Sequence, residues 1–106
     1  MPKPHDVPTY ESDIYSTAGI VDPNPHYARL RALGPVVWLS KQGVYVLPRY
    51  AECKAALRDA ETFTSGRGVA LNAFTNRMSR GTVLNSDGDD HDRRRKLVAH
   101  LSLIHI

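Results

Sequence analysis

The sequence predicts a small α+β chain, and three observations carry that expectation. Apolar residues recur at helical spacing in two segments, around Tyr27 to Leu33 and Tyr50 to Leu57. Two β-rich runs, Val36 to Leu39 and Val44 to Leu47, stand four residues apart, and a block of acids followed by bases suits a further helix. The chain has 106 residues, 42% of them apolar and 24% charged, which is enough for one modest core and no second domain. Fourteen Lys and Arg against eleven Asp and Glu leave a net charge of +3, which permits an anionic partner without demanding one. A single cysteine excludes an internal disulfide framework and a multi-cysteine zinc site. No apolar run approaches the ~18 residues of a membrane span, and no charged-then-apolar export signal opens the chain, so a cytoplasmic protein without a membrane partner is expected.

Residues 1–19 read as an irregular arm, because Met1 to Tyr15 holds three prolines and almost no apolar period. Asp22 then precedes Pro23, Asn24 and Pro25. Tyr27, Leu30 and Leu33 recur near helical spacing until Gly34-Pro35, so a helix of about three turns is expected, entered by a cap residue and closed by glycine. The two β-rich runs flank Ser40-Lys41-Gln42-Gly43, a turn that makes them a hairpin. Pro48 ends the second run. Tyr50, Cys53, Ala56 and Leu57 mark one face of the next helix, where Cys53 reads as a small buried thiol. Phe63 to Asp87 is polar and glycine-containing, with isolated Val69, Leu71, Phe74 and Met78. A loop of that length is a functional candidate.

The charged block runs from Ser86 to Val98. Four acids lead and four bases follow, which complements a helix dipole. Ser86 with Asp89, or Asp87 with Asp90, offers a cap, and Asp89–Arg93, Asp90–Arg94 and Asp92–Lys96 are each spaced for an ion pair one turn apart. His91 and Arg95 break that rule. They share a face, neither is acidic, and both donate hydrogen bonds, which suits a carboxylate or phosphate as well as a plain solvated helix face.

Asp87-Gly88-Asp89-Asp90-His91-Asp92-Arg93-Arg94-Arg95-Lys96-Leu97-Val98 resembles the start of the C helix of bacterial cytochrome P-450 monooxygenases, where an acidic lead-in precedes His-x-x-x-Arg. The upstream order agrees. Asp22-Pro23, Gly34-Pro35-Val36 and Ala56-Leu57-Arg58-Asp59 resemble that family's A helix, first sheet and B helix, and Phe63-Thr64-Ser65 resembles the start of its B–C loop. The likeness covers most of residues 20 to 100, with Gly88-Asp89 in place of the usual proline pair.

The resemblance implies the N-terminal part of a mainly helical haem protein: A helix, hairpin, B helix, B–C loop and the start of the C helix. It implies that His91 and Arg95 bind haem propionates. It further implies that Val69, Leu71, Phe74 and Met78 line a substrate pocket, and that Arg67, set between two glycines, could hold the carboxylate of an aromatic acid. Haem would activate O2 and insert one oxygen atom into a small organic substrate, with electrons from NAD(P)H passed through a ferredoxin-type donor. The family's axial thiolate loop and oxygen-activating helix have no counterpart here, and Cys53 lacks the surroundings of that ligand, so the chain alone is expected to be inactive. Leu101-Ser102-Leu103-Ile104-His105-Ile106 matches the translation of a sequencing-library adapter, so residues 1–100 are expected to be the native part and 101–106 a non-native tail.

Two other classes compete. A small basic nucleic-acid-binding domain could use Arg93 to Lys96, although the adjacent acids neutralise that run. A protein-interaction domain would explain the capped, salt-bridged helix but not the upstream order. The aspartates lack the spacing of an EF-hand, and no nucleophile elbow supports a hydrolase.

Overall fold

A computed structural model describes residues 6–104, the last three of them by their backbone alone. Among the described residues the chain forms three strands and five helices, an α+β composition. It divides into two compact units, residues 1–55 and 56–106.

The first unit is built on a three-stranded sheet. β1 (Thr9–Tyr10) pairs in parallel with β2 (Val37–Leu39), which pairs antiparallel with β3 (Val44–Val46). The hairpin expected from Val36 to Leu47 is therefore present, with Val37 opposite Val46 and Leu39 opposite Val44. Trp38 faces Tyr45 across the strands, their rings 4.8 Å apart and edge to face, a cross-strand arrangement that favours this register. The Gly43 N–H donates to the Leu39 carbonyl at 2.8 Å and closes the turn.

Residues 6–19 depart from the expected irregular arm. Thr9 and Tyr10 form β1 because the Trp38 N–H reaches the Pro8 carbonyl at 2.8 Å and the Ser40 N–H reaches the Tyr10 carbonyl. A strand of two residues leaves almost no periodic signal. α1 (Thr17–Val21) follows, capped by Ser16, whose hydroxyl accepts the Gly19 N–H at 3.1 Å. Residues 1–5 of the arm lie outside the described residues.

α2 (Asn24–Leu33) matches the expected first helix, with Pro25 in its first turn and Gly34 after its end. Its start is not capped by Asp22, which instead ends α1 by donating its N–H to the Ala18 carbonyl. Leu30, Val37, Leu39 and Tyr10 form the core, with Ile14, Val44 and Val46 packed against it. The Tyr10 hydroxyl and His26 Nδ1 share a hydrogen bond of 2.5 Å, which satisfies the polar tip of a core ring.

α3 (Tyr50–Arg58) carries the boundary between the units. Cys53 is half-buried, and its thiol donates to the Leu47 carbonyl at 2.8 Å.

The second unit contains the long segment and the charged helix. Residues 63–87 hold an unexpected element, α4 (Ala73–Met78), capped by Asn72, whose Oδ1 accepts the Thr75 N–H at 2.7 Å. α5 (Gly88–Ile104) carries the charged block. It runs through Leu101 to Ile104, within the stretch expected to be a non-native tail, while His105 and Ile106 lie outside the described residues.

Candidate functional site

The second unit is organised by polar side chains that hold backbone. Its buried residues among those described are Asn85 and Ser86, both polar, whereas the buried apolar residues all lie in the first unit. The Ser86 hydroxyl donates to the Val83 carbonyl at 2.7 Å, and Asn85 Nδ2 donates to the Ser79 carbonyl at 3.2 Å.

Neither expected cap for the charged helix forms through Ser86 or Asp87 side chains. The Asp87 carboxylate instead turns to the long loop, accepting the Ser65 N–H at 2.8 Å on Oδ1 and the Gly66 N–H at 2.6 Å on Oδ2. Its own carbonyl accepts the His91 N–H at 3.2 Å and so starts the helical ladder of α5. A second clamp lies further along the loop. Asn76 takes the Ala70 N–H on Oδ1 at 2.8 Å and returns Nδ2 to the Ala70 carbonyl at 3.0 Å. One amide side chain thus satisfies both backbone groups of one loop residue.

A cleft of about 450 Å³ opens in this unit. Ala56, Leu57, Ala60, Phe63 and Leu84 give it apolar walls, and Ser86, Asp87 and His91 bring polar groups. His91 is half-buried there, with Nδ1 3.8 Å from Asp92 Oδ1. Arg95, one helical turn on, lies in a separate shallow groove with Asp92, Lys96 and Ala99. The i, i+4 pair is therefore on one helix, but only His91 lines the larger cleft.

The basic run is not uniform. Arg93 pairs with Asp90 at 2.9 Å, three residues back instead of the expected four, and Arg94 reaches the Thr82 carbonyl at 3.5 Å. Arg95 has no hydrogen-bond or ion-pair partner among the described residues. It keeps all five donors of a planar cation available.

The remaining site candidates stand apart from His91. Arg67 is exposed and also lacks a partner among the described residues. Val69, Leu71, Phe74 and Met78 are exposed too, and none lines the His91 cleft. Phe74 and Met78 share one face of α4 by their spacing. Sequence reasoning missed Asp87 as a loop clamp and Asn76 as its counterpart. Asn72 ahead of Phe74 and Met78 was the available signal for α4.

No family model matches the chain. Curated relatives do. The chain is 38% identical over 96 residues to cytochrome P450 CYP199A2 of Rhodopseudomonas palustris, a match covering 88% of this chain and 23% of that protein. It is also 38% identical over 90 residues to beta-dihydromenaquinone-9 omega-hydroxylase of Mycobacterium tuberculosis and of Mycobacterium bovis, covering 82% of this chain and 17% of those proteins. The chain thus spans less than a quarter of the length of these relatives.

Proposed function

Taking the chain as cytochrome P-450-type sequence, we propose that it supplies one wall of the haem pocket of a monooxygenase. The observation that carries this reading is the Arg95 guanidinium, without a partner among the described residues, one turn beyond half-buried His91, in a chain 38% identical to a cytochrome P450 over 88% of this chain. Two donors of this kind fit the propionate carboxylates of a haem, and the apolar walls beside His91 fit the flank of a large apolar ring. Haem, when bound, would supply the activation of O2 and the insertion of one oxygen atom into an organic substrate.

The chain's own residues bind and orient. His91 and Arg95 hold propionate charge, and α5, whose leading acids face the positive end of its dipole, keeps the two donors one turn apart. Arg67 offers a bidentate contact for a substrate carboxylate, such as that of an aromatic acid, and Val69, Leu71 and Phe74 offer apolar contacts to the same molecule. The Cys53 thiol donates to the Leu47 carbonyl, and this reading assigns it no ligand role. Electrons come from NAD(P)H through a ferredoxin-type partner.

The test is spectroscopic. The 106-residue chain is supplied with haem, reduced and exposed to carbon monoxide, beside a complete cytochrome P-450 in which this sequence replaces the equivalent stretch. The reading expects the thiolate-type Soret band from the second and not from the first. A thiolate-type band from the chain alone, or loss of haem from the replacement protein, overturns it.

A further inference from the structure

The 65–70 segment is fixed at both ends while the side chain between them is left free. At one end Asp87 accepts the Ser65 and Gly66 N–H groups at 2.8 and 2.6 Å. A Cβ on residue 66 would stand 2.5 Å from Asp87 Oδ2, so the carboxylate approaches this backbone as closely as it does only because glycine is there. The Gly68 N–H then closes a turn onto the Ser65 carbonyl at 2.9 Å. At the other end the Asn76 amide holds both backbone groups of Ala70, and a Cβ on Gly68, whose φ is 115°, would overlap the Asn76 side chain. Arg67 sits between these fixed points, exposed and without a partner among the described residues.

We infer that Asp87 is a positioning residue for an organic carboxylate: by holding the Ser65 and Gly66 backbone it sets where the Arg67 guanidinium stands. This rests on the reading of Arg67 as the carboxylate contact given above. A long, flexible cation loses less freedom on binding when the backbone beneath it is already ordered, and a planar fork is sensitive to its origin. Asp87 is also the residue from whose carbonyl α5 begins, so the same residue ties the Arg67 turn to the helix that carries His91. An asparagine at 87 keeps an acceptor for one N–H and loses the other acceptor and the charge.

The experiment measures binding of benzoate, and of toluene as its neutral counterpart, by the Soret shift of the haem-bound protein carrying this sequence. Asp87→Asn, Arg67→Gln and their combination are compared. Asp87→Asn is expected to weaken benzoate about tenfold while changing toluene by less than about twofold, the loss of one charge-assisted contact's worth of affinity. In the combined variant, benzoate is expected to bind no more weakly than with Arg67→Gln alone, because both changes remove the same contact. Equal losses for benzoate and toluene, or losses that add, overturn the inference and leave the Arg67 reading standing. Unchanged benzoate affinity in Arg67→Gln removes the Arg67 reading and the inference with it. If Asp87→Asn does not retain haem, Gly66→Ala displaces the carboxylate from the other side of the contact. It is expected to give the same benzoate-selective loss, and a parallel toluene loss overturns the inference.

Discussion

Asp87 Oδ2 accepts the Gly66 N–H at 2.6 Å, joining residues twenty-one positions apart. With the Ser65 bond it gives the second unit a carboxylate bridging two adjacent amides, in a region where the buried residues among those described are polar. Hydrogen bonds to a charged group contribute about 1.5–3 kcal/mol each, more than a neutral pair, although partial exposure reduces this. Asp87→Ala is therefore expected to lower the stability of this unit by roughly 2 kcal/mol. Hydrogen exchange at the Ser65 and Gly66 amides should accelerate first. Unchanged exchange at both would show that these bonds do not hold the loop.

The first unit depends on apolar packing instead. Leu30 and Val37 are 1% and 0% exposed, and α2 delivers Leu30 into the side of the sheet that carries Val37 and Leu39. Leu30→Ala removes a buried side chain from a small core and is expected to cost about 2–5 kcal/mol. The neighbouring exposed Leu33→Ala should cost well under about 1 kcal/mol. Urea unfolding monitored by the Trp38 fluorescence distinguishes the two, and comparable losses would contradict the assigned core.

The ordering of α2, hairpin and α3 was legible because each has a periodic run of several apolar residues bounded by proline or glycine. β1 and α1 were not, for a physical reason: Thr9–Tyr10 is a strand only because β2 lies beside it, and α1 is a short helix resting on the Ser16 cap. In the site, the His91 and Arg95 spacing could be read from sequence, since helical geometry is local. The Asp87 clamp could not. An acid before a glycine at a helix start looks like a cap, and only the folded loop shows that its carboxylate is used by Ser65 and Gly66 instead. The charge pairs moved for a related reason, because Arg93 reaches the nearer Asp90 when both side chains are free to choose.

A pH effect follows from Asp59, just beyond α3. Its carboxyl lies below the usual carboxylate range, held first by the Thr62 hydroxyl and then by the Thr62 N–H at 3.1 Å. A pKa lower in the folded than in the unfolded chain favours the folded state above the unfolded value of about 3.9, and that contribution disappears as pH falls through the folded value. Solvent screens this exposed group, so the effect is visible in its titration more than in global stability. Thr62→Ala should raise the Asp59 midpoint in an NMR titration of its side-chain carbon. An unmoved midpoint would reject the Thr62 hydroxyl as the leading cause.

Arg95 supplies the sharpest check on the haem reading, because its neighbours act as internal controls. Arg93 is paired with Asp90 and Arg94 leans on the Thr82 carbonyl, whereas Arg95 has no partner among the described residues. If net charge alone mattered, removing any of the three would loosen an anionic group to a similar degree. If a specific contact to a propionate matters, the three must differ. A charge-assisted hydrogen bond is worth about 1.5–3 kcal/mol, so Arg95→Ala is expected to speed haem release from the haem-bound protein at least about tenfold. Arg93→Ala is expected to change it by less than about twofold, since an exposed ion pair contributes little. Release is followed by transfer of haem to an excess of a haem-scavenging apoprotein. Arg95→Lys keeps the charge but loses the fork and should restore only part of the retention. Equal acceleration by Arg93→Ala and Arg95→Ala would leave the propionate role without support, whatever the spacing with His91.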